Sequence, residues 1–502
     1  MPLSGRSFGV FVHITSLTTH YGVGDLGPTA YHLIEILKEL GSRYWQILPL
    51  HPTSDDKGNS PYSSPSTFAG NYLLISPELL VIDGLLKEDV LRSIRTKESS
   101  KVLYKYAYRV KEKVLRKAFT EFKNNYSDWG KLFEEFKARN SFWLGDYSLF
   151  MVIKKLQNGK PWYLWPTPLK RRVKRELRSL REKYSDLVLY EEFTQFIFYL
   201  QWERLKNYAN RNGISIIGDL PYYVDLDSAD VWVNPHLFKL NKKLRPAYVG
   251  GVPPDYFSRT GQLWGNPVYD WDKHLESGFQ WWIKRLKHAS RLYDITRLDH
   301  FRGFIGYWEV PSRYRTAKHG RWVRTPYEEF FRKISAEFPT LPFIAEDLGF
   351  ITPDVREVIY RLKIPGMKVL VFAFGGDSSN PHLPINYTGN EVVYTSTHDS
   401  NTVKGWFMEE AGYTAKEFLS KYSGILVNKD NVCETLIRLA LSSIAPLVIT
   451  PVQDLLCLGS EGRMNLPGTS RGNWEWRMTG SDIHKLSNSN VKDLAEVYGR
   501  VN

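Results

Sequence analysis

Eight short runs rich in β-branched and apolar residues recur along the chain, at about 8–17, 44–50, 214–221, 295–301, 343–349, 366–374, 391–399 and 445–455, each with turn-forming residues beside it. Several are apolar at consecutive positions, the pattern of a parallel strand covered on both faces. After the first run, Gly27-Pro28 opens a segment with apolar Ala30, Leu33, Ile34, Leu37 and Leu40, closed by Gly41. That spacing predicts a helix started by proline and stopped by glycine, and with it a strand-helix-strand unit. Eight strands of this kind predict an α/β fold, a (β/α)8 TIM barrel.

The spacing between runs is uneven, which predicts inserted helical and loop subdomains around one rim of the barrel. Residues about 77–212 are rich in Lys, Glu, Leu and aromatic side chains at helical spacing and predict a helical insertion. Residues about 222–294 begin as an irregular stretch containing Pro235, Pro246, Pro253, Pro254 and Pro267, followed by a helix-like segment at 278–291. A third insertion, about 304–330, follows the fourth strand. No internal repeat, low-complexity tract or long flexible linker separates these pieces, so the expectation is a single catalytic barrel unit over 1–502.

Three of the runs deliver a carboxylate near their ends: Asp299 in Ile295-Thr-Arg-Leu-Asp-His-Phe301, Glu346 in Phe343-Ile-Ala-Glu-Asp-Leu-Gly349, and Asp399 in Thr397-His-Asp399. Polar tips on buried strands are how barrels of this kind furnish a reactive rim. Two carboxyls of different protonation can flank a glycosidic bond. Arg297 lies two residues before Asp299, on the same face of an extended strand, where it can hold the carboxylate ionised; a structural ion pair at the strand end is the alternative. Ile344 and Ala345 beside Glu346 predict desolvation and a raised pKa, as a general acid requires, whereas Asp347 points the opposite way and is expected to be structural. Asp399 and His398 could bind substrate hydroxyls, or Asp399 could cap the next helix. His13 and His300 also sit near strand ends, with no convergent metal-ligand pattern around them.

Composition narrows the classes. Lys plus Arg number 67 against 54 Asp plus Glu, a net charge of +13, but the excess is concentrated in helix-like stretches such as Lys170-Arg-Arg-Val-Lys-Arg175. A solvated helix face accounts for this better than nucleic acid, for which no zinc-ligand or aromatic RNA-binding motif is present. Aromatics make up 14% of the chain, with 16 Trp and 30 Tyr, many in Gly/Pro-rich loops where rings can stack on the apolar faces of sugars. With only Cys433 and Cys457, neither a disulfide framework nor a cysteine metal site is expected. The N-terminal residues lack an apolar signal region and no run is long enough to span a membrane, so a soluble cytoplasmic protein with no membrane partner is expected. No Gly-rich phosphate loop stands in a strand-helix context, and no cofactor or metal is expected.

The Arg-X-Asp on strand four, Glu on strand five and His-Asp after strand seven resemble the catalytic set of the α-amylase superfamily of retaining glycosidases. More specifically, Ser60-Pro-Tyr-Ser63, Gly218-Asp-Leu-Pro221, Gly250-Gly-Val-Pro-Pro-Asp-Tyr-Phe-Ser258, Gly261-Gln-Leu-Trp-Gly-Asn-Pro267 and Arg463-Met-Asn-Leu-Pro-Gly-Thr469 resemble the amylomaltase family of 4-α-glucanotransferases, over essentially the whole chain. The resemblance implies Asp299 as nucleophile, Glu346 as general acid/base and Asp399 as transition-state stabiliser, supported by Arg297 and His398. It further implies a glucan-binding cleft containing Ser60, Tyr62, Asp219, Trp264, Gly265, Asn266, Pro267, His300 and Asn465, covered by the 250–267 loop. It implies α-1,4-glucans and maltooligosaccharides as donors and acceptors, glucose as a further acceptor, and no cofactor. The chain departs from many members at Ser400, where they carry Asn. An α-glucan hydrolase and a non-catalytic carbohydrate-binding protein are the competing readings, because hydrolase and transferase share the same carboxylates.

Overall fold

The computed structural model describes residues 5–254 and 258–501. Its centre is an eight-stranded, all-parallel sheet rolled into a nearly closed (β/α)8 barrel: β1 (Ser7–Phe11), β2 (Tyr44–Gln46), β3 (Ser215–Leu220), β4 (Ile295–Leu298), β5 (Phe343–Ala345), β6 (Gly366–Val369), β7 (Glu391–Tyr394) and β8 (Leu447–Pro451). Sequence neighbours pair at every step except between β5 and β6, and β8 pairs back to β1 with Ser7 opposite Leu447. All eight runs seen in the sequence form strands, but in all except the third, which reaches Leu220, the ladder stops several residues short of the C-terminal end of the run. Just past the ladders a further backbone bond continues in several places, as Ile47 N to Ile217 O at 2.9 Å, and side chains then take part, as where Leu48 N donates to His13 Nδ1 at 3.2 Å.

The seam between β5 and β6 has no continuous ladder. It is closed by Ala345 N donating to Pro365 O at 2.9 Å and by Met367 N donating to Asp347 Oδ1 at 2.6 Å, so Asp347 is a structural pin. Gly366 permits this approach, since a Cβ there would stand 2.7 Å from Asp347 Oδ2.

Helix Pro28–Glu39 connects β1 to β2, and Pro353–Leu362 connects β5 to β6. Residues 370–390 between β6 and β7 contain only single 3-10 turns, Leu370–Phe372 and Pro384–Asn386. The segment between β2 and β3 is helical, with long members Tyr104–Asn124 and Ser185–Arg211. Its Leu115 and Phe193 join Trp45, Ile217, Leu298, Ile344 and Val392 of the barrel strands in one contiguous apolar core. After β3, the helix expected at 278–291 is Gln280–Leu292. The stretch before it is not wholly irregular: Tyr248–Val252 and Gln262–Pro267 are strands of a small antiparallel sheet completed by Gly306–Pro311 and Arg321–Arg324 from the segment after β4.

Cys433 and Cys457 form a disulfide, which corrects the expectation that the two cysteines mark neither a disulfide framework nor a metal site. They are 24 residues apart, and the return of the chain through β8 brings their Cα atoms to 5.7 Å, a proximity that spacing does not reveal. Among the described residues, no helix is long and apolar enough to cross a membrane.

Candidate active site

Parallel register builds the floor of the site. Asp219 on β3 lies opposite Arg297 on β4, so their side chains meet inside the barrel. Arg297 Nη1 donates to both oxygens of Asp219, at 2.8 and 2.7 Å, while Nη2 lies 3.1 Å from Asp299 Oδ1. Asp219 and Arg297 are almost fully buried, and removing one partner of such a pair would strand the other charge at a cost of about 3–5 kcal/mol. Gly218 is required by packing, because a Cβ there would fall 2.1 Å from the Tyr293 ring.

Asp299 stands just past the end of β4, its backbone N–H donating to Leu220 O at 3.1 Å. The next residue, His300, adopts a left-handed conformation (φ 47°) and turns the chain into a short 3-10 segment, Phe301–Phe304. This sparsely populated backbone lets His300 N donate to Glu346 Oε2 at 2.8 Å, so the residue following one carboxylate holds the other. Glu346 Oε1 accepts from Leu348 N at 2.8 Å. Burial raises the pKa of both carboxyls, Glu346 to about 7 and Asp299 to about 6, with the Arg297 guanidinium working against the rise in each. The Glu346 carboxyl therefore keeps its proton at a pH where Asp299 is ionised.

The third carboxylate is held differently. Asp399 accepts from Asn465 Nδ2 at 2.7 Å and lies 3.3 Å from His398 Nε2, with half of its side chain open to the cleft. Partial burial pushes its pKa up, but the His398 charge, the hydrogen bonds from His398 and Asn465, and Arg297 together hold it well below the usual carboxylate range. Burial opposes the charge on His398, yet Asp399 raises its pKa overall. Asp399 does not cap the following helix; Thr402 does, accepting from Gly405 N at 3.0 Å.

Tyr62 ties the two halves together. Its hydroxyl donates to Asp219 Oδ2 at 2.6 Å and lies 2.8 Å from His398 Nε2, and its ring stacks on His398 with centroids 5.4 Å apart. On the opposite side, the exposed Trp264 meets His300 edge to face at 4.9 Å. Burial lowers the His300 pKa to about 4, so its ring is neutral. Arg297, Asp219, Tyr62, His398, Asp399 and Asn465 thus form one chain of contacts, and Asp299, His300, Glu346 and Trp264 another, joined at Arg297.

Other sequence-derived residues shape the backbone. Ser60 Oγ accepts from Tyr62 N at 3.3 Å, fixing the turn that presents the tyrosine. Asn266 Nδ2 donates to Val224 O at 3.0 Å, Gly265 supplies a left-handed φ of 82°, and Pro267 pairs with Val249 in the small sheet. Asp255, Tyr256 and Phe257 of the 250–258 motif lie outside the described residues. Ser400 Oγ accepts from Thr397 N at 2.9 Å and closes the turn around Asp399. His13 is a satisfied core residue, its pKa lowered by burial to about 3. Sequence reasoning missed Trp474, whose ring packs on both Tyr62 and His398, and the buried Asp454, although Asp454 is the charged tip of the eighth run. Among the described residues, no group of three or more His, Cys, Asp or Glu side chains is arranged to hold a metal ion.

Known proteins resemble this chain over nearly its full length. A family model described as 4-alpha-glucanotransferase matches residues 12–483. The chain is 49% identical over 495 residues to a 4-alpha-glucanotransferase of Aquifex aeolicus, covering 99% of each chain, and 44% identical over 504 residues to that of Thermus thermophilus, again covering 99% of each. The structure superposes with a TM-score of 0.94 on an amylomaltase from Streptococcus agalactiae solved with acarbose, at 39% identity, covering 99% of this chain and all of the other.

Proposed function

The chain belongs to the 4-alpha-glucanotransferase family, and from that membership we propose that it moves segments of α-1,4-glucan between chains by a retaining double displacement centred on Asp299 and Glu346. Glu346 gives its proton to the departing glycosidic oxygen while Asp299 attacks the anomeric carbon, forming a β-linked glucosyl-enzyme and releasing a glucan with a free 4-hydroxyl. Glu346, now a carboxylate, takes the proton from the 4-hydroxyl of an incoming maltooligosaccharide or glucose. That oxygen displaces Asp299 and restores the α-linkage. A retaining enzyme requires the two carboxyls about 5 Å apart. Asp399, held ionised by His398 and Asn465, offsets positive charge in the oxocarbenium-like transition state. Arg297 keeps Asp299 available as an anion.

The observation that carries the reading is the pairing of a raised Glu346, gripped by two backbone N–H groups, with an Asp299 tied to Arg297 and linked to it through His300. Incubation with maltotriose tests it: longer maltooligosaccharides and free glucose should accumulate while total reducing ends stay constant. A rise in reducing ends would mean hydrolysis, and no change would leave only carbohydrate binding.

A further inference from the structure

Asp454 is a fully buried carboxylate that the mechanism above does not use. It lies just beyond β8, in the short helix Val452–Leu455. Oδ2 accepts from Thr395 Oγ1 and from Ser396 Oγ, both at 2.6 Å, and Oδ1 accepts from Val403 N at 2.8 Å. Thr395 and Ser396 are the first residues after β7, and Val403 opens the next helix, Val403–Gly405. One carboxylate therefore grips both feet of the loop whose tip carries His398 and Asp399. Within the tip, Thr397 N donates to Ser400 Oγ at 2.9 Å and Asp399 N to Thr397 Oγ1 at 3.3 Å, and from outside it Asn465 N donates to His398 O at 3.0 Å and Asn401 Nδ2 to Ser460 Oγ at 2.9 Å.

All three of these donors are neutral. An ionised acceptor taken out of water costs free energy unless its hydrogen bonds are short and well directed, and hydroxyl contacts of about 2.6 Å are typical of charge-assisted bonds. Such a clamp fixes geometry more strictly than apolar packing, and a misplacement of about 1 Å at a reacting centre can lower turnover about 10²-fold. We propose that Asp454 is a positioning residue that holds the 395–403 loop so that Asp399 faces the reacting sugar. The proposal rests on the function assigned above for its kinetic readout, but not for its structural one.

The test is a double-mutant cycle. Asp454→Ala, confirmed folded, is expected to lower kcat for maltotriose transfer about 10²-fold, the scale of a misplaced catalytic group. In an Asp399→Ala background the same substitution should cost less than about threefold, because no carboxylate remains to be misplaced. An equal loss in both backgrounds, or wild-type kcat in folded Asp454→Ala, overturns the proposal. If Asp454→Ala does not fold, Thr395→Val/Ser396→Ala removes two of the three donors and carries the same comparison. A crystal structure of the variant should show His398 and Asp399 displaced with Asp299 and Glu346 unmoved, and an unmoved loop likewise overturns it. Absence of glucan transfer by the wild-type protein would refute the reaction assignment, leaving the crystallographic comparison to decide the role of Asp454.

Discussion

Glu346 and Asp399 are carboxylates on the same rim of the barrel, yet they are held in opposite ways. Glu346 is gripped by the backbone N–H groups of His300 and Leu348, which the fold supplies whatever the side chains there. Asp399 depends on the side chains of Asn465 and His398, on a loop clamped from behind by Asp454. Burial prevails at Glu346 and raises its pKa, whereas donors and positive charge prevail at Asp399 and lower it. The same functional group is thereby made an acid at one position and a permanent anion at the other. The acid's geometry is built into the backbone, while the anion's geometry is open to side-chain substitution.

The strongest way to break the comparison is to remove the reacting carboxyls. Glu346→Gln and Asp299→Asn should each reduce transfer by at least about 10³-fold, within the range that acid–base groups supply. Steady-state assays on protein free of wild-type contamination would check this.

The pH profile sharpens it. Asp299 must be ionised, so kcat/KM should fall about tenfold per unit below about 6, and Glu346 must be protonated, so it should fall similarly above about 7. Both limbs belong to the pair, and a plateau extending well beyond pH 8 would contradict the assignment of Glu346.

On the Asp399 side, Asn465→Ala removes a hydrogen bond to a charged group, worth about 1.5 kcal/mol or more, and should lower kcat roughly tenfold. Both pH limbs should stay in place, because Asp399 titrates far below them. The smallest catalytic effect is expected from the disulfide, which joins helix Val432–Ser442 to Cys457, three residues beyond Asp454. Cys433→Ala/Cys457→Ala should cost about 3 kcal/mol of stability by loop entropy, read from denaturant unfolding, with turnover within about twofold of wild type.

The barrel strands were legible because a parallel strand buried on both faces is apolar at consecutive positions, and β8, Leu447–Pro451, shows this most plainly. Their ends were not, because the polar residues that follow belong to rim loops while still reading as β-rich. The small antiparallel sheet was hidden for a different reason. Gln262–Pro267 contains Gly265, Asn266 and Pro267, which discourage a strand assignment, and its sheet joins segments on either side of β4. The three carboxylates stood out as charged tips on apolar runs. Asp454 carried the same signal, but its role depends on Thr395, Ser396 and Val403, contacts that only the fold creates. The coupling of Asp219 to Arg297 likewise follows from cross-strand register, which no local pattern encodes.

The central claim is that Asp299 forms the glycosyl-enzyme and Glu346 resolves it. Its most direct test is to react Glu346→Gln with an α-maltosyl fluoride, whose leaving group needs no proton, and to locate the trapped sugar by mass spectrometry of the digested protein. A maltosyl adduct on Asp299 is the predicted result; an adduct on another residue would contradict it.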